Sequence, residues 1–343
     1  MTSLDAGPKG LPATGSLFQA HGSVVALCGG VGGAKLALGL EKVVLPASKL
    51  TLAVNTGDDF EHLGLAISPD LDTVLYTLAG LADAERGWGR ADESWNFMAA
   101  LEGWGGETWF ALGDRDLALH VERTRRLHAG ETLSAVMGDL ARRAGIRADV
   151  LPMSNDPVRT IVHTESGALR FQNYFVKERC SPVVTGITFE GASAAAANPA
   201  LIRALADPEL AVIVICPSNP FLSIDPILAV PDVRGALERA AAPIVVVSPL
   251  VGGRAVKGPT GKIMGELGLG ASSRSIAAHY FGLVDGIVID SSDAAEAAAL
   301  DIPVHVTRTV MNDLDDKRAL ARAVLGFAAT LQRAPSIMAR SRQ

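Results

Sequence analysis

Three cysteines, few aromatic residues and no long apolar run are what this 343-residue chain has least of. The cysteines, Cys28, Cys180 and Cys216, are odd in number and lack metal-ligand spacing. That pattern argues against a disulfide framework and suits a reducing cytoplasm. Cys28 and Cys216 each close an apolar run and read as small buried hydrophobes. The longest uninterrupted apolar run, Leu210–Cys216, is far too short to span a bilayer, so no membrane partner is expected. Lysine and arginine number 31 against 37 aspartates and glutamates, a net charge of −6 with no basic stripe, which argues against nucleic acid. The densest basic cluster, Arg123, Arg125 and Arg126, reads as the solvated face of a helix. No histidine pairs with a serine or cysteine in a triad-like pattern, so nothing calls for a covalent intermediate.

What is present is concentrated in Val24–Leu40, VVALCGGVGGAKLALGL. A short apolar run ends in Gly29, Gly30, Gly32 and Gly33, and an apolar helical pattern follows at once. Glycines there let the backbone turn tightly and approach a ligand, and a helix N-terminus offers N–H groups to an anion. Two familiar phosphate motifs do not fit. A Walker A loop requires Gly-Lys-Ser/Thr where Ala34-Lys35-Leu36 stands, and a dinucleotide fingerprint requires glycine at Lys35. A turn that only packs helix on strand is the competing reading.

Strand candidates recur with helices between them: Val24–Cys28, Leu50–Asn55, Leu210–Cys216, Ile244–Ser248, Gly286–Asp290 and Val304–Thr307. Several are continuous β-branched runs, as in parallel strands covered on both faces. Helical patterns cover Leu71–Leu81, Asp232–Ala241 and Asp313–Ala329. The alternation predicts an α/β fold with a Rossmann-like, doubly wound, mostly parallel sheet. Arg159–His163 and Ala168–Phe175 flank a hairpin turn at Glu165-Ser166-Gly167, and Val183–Phe189 adds a third strand. An inserted β-rich lobe is therefore expected at about 150–192, and Ala192–Ala197 reads as a helix start. Residues 1–22 read as a loose tail, 23–330 as the main domain and 331–343 as a basic tail.

In an open α/β sheet, ligands bind beyond the carboxyl ends of the strands. The residues there are the glycine turn, Asn55-Thr56-Gly57-Asp58-Asp59, Pro217-Ser218-Asn219-Pro220, Ser248–Gly253 and Asp290–Asp293. The Asp58–Asp59 pair suits a hard cation such as magnesium, or is a solvated turn. In Ser68-Pro69-Asp70-Leu71-Asp72, Ser68 reads as an N-cap, Pro69 as the first helical residue and Asp70 as a carboxylate favoured by the helix dipole. That leaves Asp72 as the better ligand candidate. Trp88, Trp95, Trp104 and Trp109 form either a satellite core or a stacking surface for a planar ring. Asp114 or Asp116 reads as a helix cap, with phosphate contact by Arg115 as the alternative. Lys257 and Lys262 bracket another glycine-bearing basic loop.

Together these segments resemble the 2-phospho-L-lactate transferases of coenzyme F420 biosynthesis, a family of archaeal enzymes and actinobacterial phosphoenolpyruvate-type relatives. The resemblance covers residues 23–330. It rests on GGVGGAK at 29–35, NTGDD at 55–59, SPDLDTVLYTLAG at 68–80 and RGWG at 86–89. LGDRDLALH at 112–120, LPMSNDPV at 151–158, PSNPFLSIDPIL at 217–228 and SPLVGG at 248–253 continue it. It implies a Rossmann-like core with an insertion, magnesium as cofactor and a cytoplasmic homodimer. It also implies transfer of a phospho-acid (phospholactate, phosphoenolpyruvate or phosphoglycerate) from a guanosine diphosphate-linked donor. The acceptor is the deazaflavin Fo, and the products are a form of F420-0 and GMP. Asp58 and Asp72 are the expected metal ligands, with Asp59 a supporting residue or base. Gly29, Gly30, Gly32, Gly33, Asn55, Thr56, Ser218, Asn219, Arg115 and Lys257 are expected at the substrates, and Trp88 near the deazaflavin. The family pattern Ser-Ile-Gly-Pro reads Ser223-Ile224-Asp225-Pro226 here, which leaves the phospho-acid open. A non-catalytic nucleotide-sugar-binding regulatory protein shares a glycine turn followed by an Asp-Asp loop, and is the alternative.

Overall fold

The computed structural model describes residues 22–44, 49–256 and 258–333. Lys257 and the tails at 1–21 and 334–343 lie outside the described residues. Seven strands form the main sheet: β1 (Ser23–Cys28), β2 (Leu50–Val54), β3 (Asp149–Pro152), β4 (Leu210–Ile215), β5 (Ile244–Val247), β6 (Gly286–Asp290) and β7 (Val304–Thr307). Their order is β7-β6-β5-β4-β1-β2-β3, and every pairing is parallel. Leu27 of β1 sits between Ala53 of β2 and Ile215 of β4.

Alternation along each strand divides the core in two. Val25, Leu27, Ala53, Ile213 and Ile215 pack on one face, and Val24, Ala26, Cys28, Leu52, Val54 and Val212 on the other. Both faces are covered, which is why these strands read as unbroken apolar runs. The chain winds outward through β2 and β3 in one direction and through β5, β6 and β7 in the other. The strand order therefore reverses between β1 and β4, where such sheets bind ligands.

The expected lobe is a separate antiparallel sheet, with Arg159–Thr164 between Gly167–Arg170 and Val184–Glu190. Its lower boundary at 150 needs correction, because Asp149–Pro152 is the edge strand of the main sheet. Ala192–Ala197 does not begin a helix. The helix starts at Pro199, where Asn198 Oδ1 accepts from the Ala200 amide at 3.0 Å and proline occupies the first turn. Helix α1 (Gly30–Val43) follows β1 directly, and α2 (Pro69–Ala79) packs beside it on the same sheet face. Gly80 ends α2 in the left-handed region at φ +70°.

The starts of helices α3 (Asn96–Gly103) and α4 (Asp114–His128) are capped across the turn between them, α3 by Asp114 and α4 by Glu93 in the segment before α3. Asp114 accepts from the Asn96 and Phe97 amides at 3.1 and 3.0 Å, while Glu93 accepts from the Arg115 and Asp116 amides at 2.7 and 2.8 Å. Hydrogen bonds from Ser94, Phe97 and Asn96 hold the Asp114 carboxyl down to about 2. Among the described residues no helix is long and apolar enough to cross a membrane.

Candidate active site

Beyond β1 the backbone passes through Gly29 in an extended conformation and enters α1 at Gly30, φ +63°. A β-carbon at Gly30 would meet nothing within 4 Å, so this glycine faces open space and is required for its backbone angle. The other three permit close approach by protein. A β-carbon at Gly29 would collide with Asp70 Oδ2, one at Gly32 with the Pro217 carbonyl, and one at Gly33 would stand 2.6 Å from Ser218 Oγ. Gly32 thus makes room for the loop after β4, where the sequence suggested room for phosphate. Ser218 Oγ joins the two loops, accepting from the Gly29 amide at 3.2 Å and donating to the Gly29 carbonyl at 2.8 Å. Asn219 uses Oδ1 to cap the Phe221 and Leu222 amides at 3.0 and 3.1 Å, which leaves its buried Nδ2 unpartnered.

Asn55, at the end of β2, organises the carboxylates. Its Nδ2 donates to Asp70 Oδ2 at 2.9 Å and to Asp58 Oδ1 at 3.3 Å, and its Oδ1 accepts from the Gly57 amide at 2.8 Å. Asp70 Oδ1 accepts from the Gly30 amide at 2.6 Å. Asp59 Oδ2 accepts from Ser68 Oγ at 2.9 Å, whereas Asp59 Oδ1 and Thr56 Oγ1 are buried with no partner. All three carboxylates are buried. Burial, then Asp70 and Asp59, push the Asp58 carboxyl well above its ordinary range. Burial raises Asp59 to about 7 against the opposing fields of Arg159 and Arg123, and raises Asp70 to about 6 against bonds from Asn55 and Gly30. Among the described residues none of the three carboxylates has a cation within ion-pair distance.

Asp72 lies near Asp58 and Asp59 but has a partner of its own. Its two oxygens accept from Arg123 Nη1 and Nη2 at 2.5 and 2.9 Å. Arg123 is 0 % exposed, so its reading as part of a solvated face was wrong. Arg123 Nη2 also donates to His120 Nδ1 at 2.8 Å, which assigns the ring proton to Nε2, 3.2 Å from Asp116 Oδ2. Tyr76 completes the chain by donating to Asp116 Oδ1 at 2.5 Å. Residues two apart on a helix project about 200° apart, so Asp70 and Asp72 face opposite sides. With both oxygens on a guanidinium, Asp72 already has its countercharge. The acidic residue that sequence reasoning passed over is Asp70, because dipole stabilisation already accounted for it.

The donor set fits a hard cation. Asp58 and Asp70 share one Asn55 amide nitrogen and so stand within reach of one ion, and the raised carboxyls would be relieved by it. Among the described residues no three His, Cys, Asp or Glu side chains converge as a complete metal cage. Two carboxylates with the remaining positions left to water and substrate oxygens is the usual magnesium arrangement.

Arg115 and Trp88 have contacts of their own. Arg115 stands 3.8 Å from Asp92 on the first turn of α4. Trp88 and Trp95 flank the Arg86 guanidinium at 5.3 and 5.0 Å, and Trp109 packs edge-on against His62. Among the described residues neither Arg115 nor Trp88 hydrogen-bonds to the glycine turn or the carboxylate loop. Asp225 pairs with His279 Nε2 at 2.8 Å, so this carboxylate has its own partner.

Residues 24–326 match the family described as 2-phospho-L-lactate transferase CofD. The phosphoenolpyruvate transferase of Streptomyces griseus is 41% identical over 314 residues, covering 89% of this chain and 98% of the relative. The 2-phospho-L-lactate transferase of Methanosarcina mazei is 36% identical over 305 residues, covering 88% and 99%. Among solved structures, a UPF0052 family protein of Bacillus halodurans superposes with a TM-score of 0.59 at 17% identity, over 89% of this chain and 98% of that one. That likeness concerns the fold alone.

Proposed function

The chain belongs to the CofD family of 2-phospho-L-lactate transferases, and from that premise we propose that it makes a form of coenzyme F420-0. The donor is a guanosine diphosphate-linked phospho-acid of the phosphoenolpyruvate–phospholactate class, the acceptor is Fo, and GMP is released. The observation that carries this reading is the buried pair Asp58 and Asp70, bridged by Asn55 beside the open face of Gly30. A diphosphate group fits such a place, at a helix N-terminus with carboxylates ready to share a cation.

The terminal ribityl hydroxyl of Fo attacks the phosphorus that carries the acid. A new O–P bond forms, the bridging P–O bond breaks, and its electron pair leaves on GMP. Asp59 Oδ1 is a buried acceptor without a partner, and a carboxyl raised to about 7 suits it to take the hydroxyl proton. The first turn of α1 holds donor phosphate oxygens through its amides. Ser68 and Asn55 fix the carboxylates through the bonds described above. Magnesium, when bound by Asp58 and Asp70, supplies neutralising charge at the diphosphate.

Mixing the protein with Fo, magnesium and the guanosine diphosphate-linked acid should release GMP in step with a deazaflavin phosphodiester, identified by its mass. EDTA should stop the reaction and added magnesium restore it. Release of GDP instead, or nucleotide binding without turnover, would overturn the reading. The second outcome would favour a regulatory protein.

A further inference from the structure

We propose that the inserted lobe forms one wall of the site, with Arg159 receiving the carboxylate of the phospho-acid and Thr160 adding a hydroxyl contact. The proposal rests on the donor class given above. The lobe strand Arg159–Thr164 is tied to the carboxylate loop, since the Thr160 amide donates to the Gly57 carbonyl at 2.7 Å. Gln172, also in the lobe, places Nε2 3.4 Å from the Asp58 carbonyl. Thr160 is 1 % exposed, yet its hydroxyl has no partner. That hydroxyl faces the loop, because a β-carbon on Gly57 would lie 2.7 Å from it. A buried hydroxyl left unpaired against the loop that carries Thr56 Oγ1 and Asp59 Oδ1, both also unpaired, marks a place where a ligand supplies the missing bonds.

Charge gives the ligand's identity. An anionic donor approaching Asp58, Asp59 and Asp70 needs positive groups besides a cation. Arg123 is committed to Asp72. Arg159 is half-buried and donates from Nη1 to its neighbour's carbonyl, Val158 O, at 2.8 Å. Among the described residues no carboxylate stands within ion-pair distance of it. Arg159 opens the lobe strand directly before Thr160, whose amide is bonded to the Gly57 carbonyl, so its backbone lies against the carboxylate loop. A planar guanidinium with donors available matches a carboxylate in two parallel bonds, which a spherical ammonium does not.

The test measures binding of three probes by calorimetry: GMP, GDP, and guanosine diphosphate-linked phospholactate. Arg159→Gln should weaken the acid-bearing donor by about tenfold or more and leave GMP and GDP within about twofold. Arg159→Lys should fall between, because it keeps the charge and loses the fork. Thr160→Val, which preserves shape, should weaken the same donor by a smaller factor, with Thr160→Ser restoring it. Thermal melts confirm that each variant folds. Unchanged donor affinity in Arg159→Gln would overturn the proposal, as would an equal loss for GDP, which lacks the acid. A wild-type protein that binds none of the three probes would instead overturn the donor class itself.

Discussion

Two buried acidic regions flank helix α2 and differ in one respect. On the side of the glycine turn, Asp58, Asp59 and Asp70 are held by amides and a hydroxyl, and their carboxyls are pushed upward. On the other side, Asp72 and Asp116 are held by Arg123 and His120. His120, the hydrogen bond from Tyr76 and the field of Arg123 together outweigh the effect of burial and keep the Asp116 carboxyl low. One region is paired directly with a guanidinium, whereas the other is held by neutral donors with no cation in direct contact among the described residues. A buried acid with a cationic partner fastens structure, whereas a buried acid without one is a place for a ligand.

The largest effect should come from breaking the satisfied region. Arg123→Met leaves Asp72 buried and unpaired, and should destabilise the fold by about 3–5 kcal/mol in chemical denaturation. Pairing it with Asp72→Leu should recover much of the loss, since the isolated charge is then gone. A single variant as stable as wild type would erase the distinction between the regions. By the same reasoning Asp72→Asn is chiefly a stability variant.

Asp58→Asn should do the reverse. It should lower turnover about 10²–10³-fold, the size expected when one preorganised electrostatic group is lost at a reacting phosphate. Its melting temperature should hold or rise, because a repelling charge leaves the buried cluster. GMP release and a thermal melt measure the two quantities. Near-normal turnover with a lowered melting temperature would mean that Asp58 is structural.

Much of this was legible in the sequence. Alternating apolar runs and helical stripes gave six strands of the main sheet to within a residue or so, and the glycine turn marked its switch point. Asp149–Pro152 was missed because it is short and edge-placed, without a β-branched run. The fate of Arg123 was hidden for a different reason. An arginine beside Arg125 and Arg126 looks solvated until Asp72, 51 residues away, is folded against it. Helical geometry alone sends Asp70 and Asp72 to opposite sides, a distinction legible in their spacing. The vacant valence of Thr160 had no signal at all, because an unpaired hydroxyl is a property of packing.

Within the glycine turn the limiting factor is space rather than charge. Gly32→Ala should destabilise the protein by about 1–3 kcal/mol, as overpacking does, because its methyl would press on the Pro217 carbonyl. Fo and donor affinities should fall together as the loop after β4 shifts. Selective loss of donor affinity at unchanged stability would show instead that Gly32 serves phosphate directly.

The smallest expected effect is a pH dependence, and its sign separates the two acidic regions. Asp70 is raised to about 6. A carboxyl with a higher pKa in the folded state holds its proton more tightly there than in the unfolded chain. Its contribution to stability is therefore present at low pH and is lost as pH climbs through the folded value. The depressed Asp116 acts oppositely, since its contribution is present at neutral pH and is lost as pH falls. Asp70→Asn removes a titrating group from the first region only, and an asparagine oxygen can still accept from Gly30. In cation-free buffer the variant should therefore gain on wild type as pH rises from about 4.5 to 7, by on the order of 1 kcal/mol. Comparing variant with wild type at each pH cancels the titration of surface carboxylates. Adding magnesium at the upper pH should stabilise wild type more than the variant, because the ion supplies the countercharge that Asp70 lacks. A difference that stays flat with pH and ignores magnesium would place Asp70 among the satisfied acids, on the same footing as Asp72.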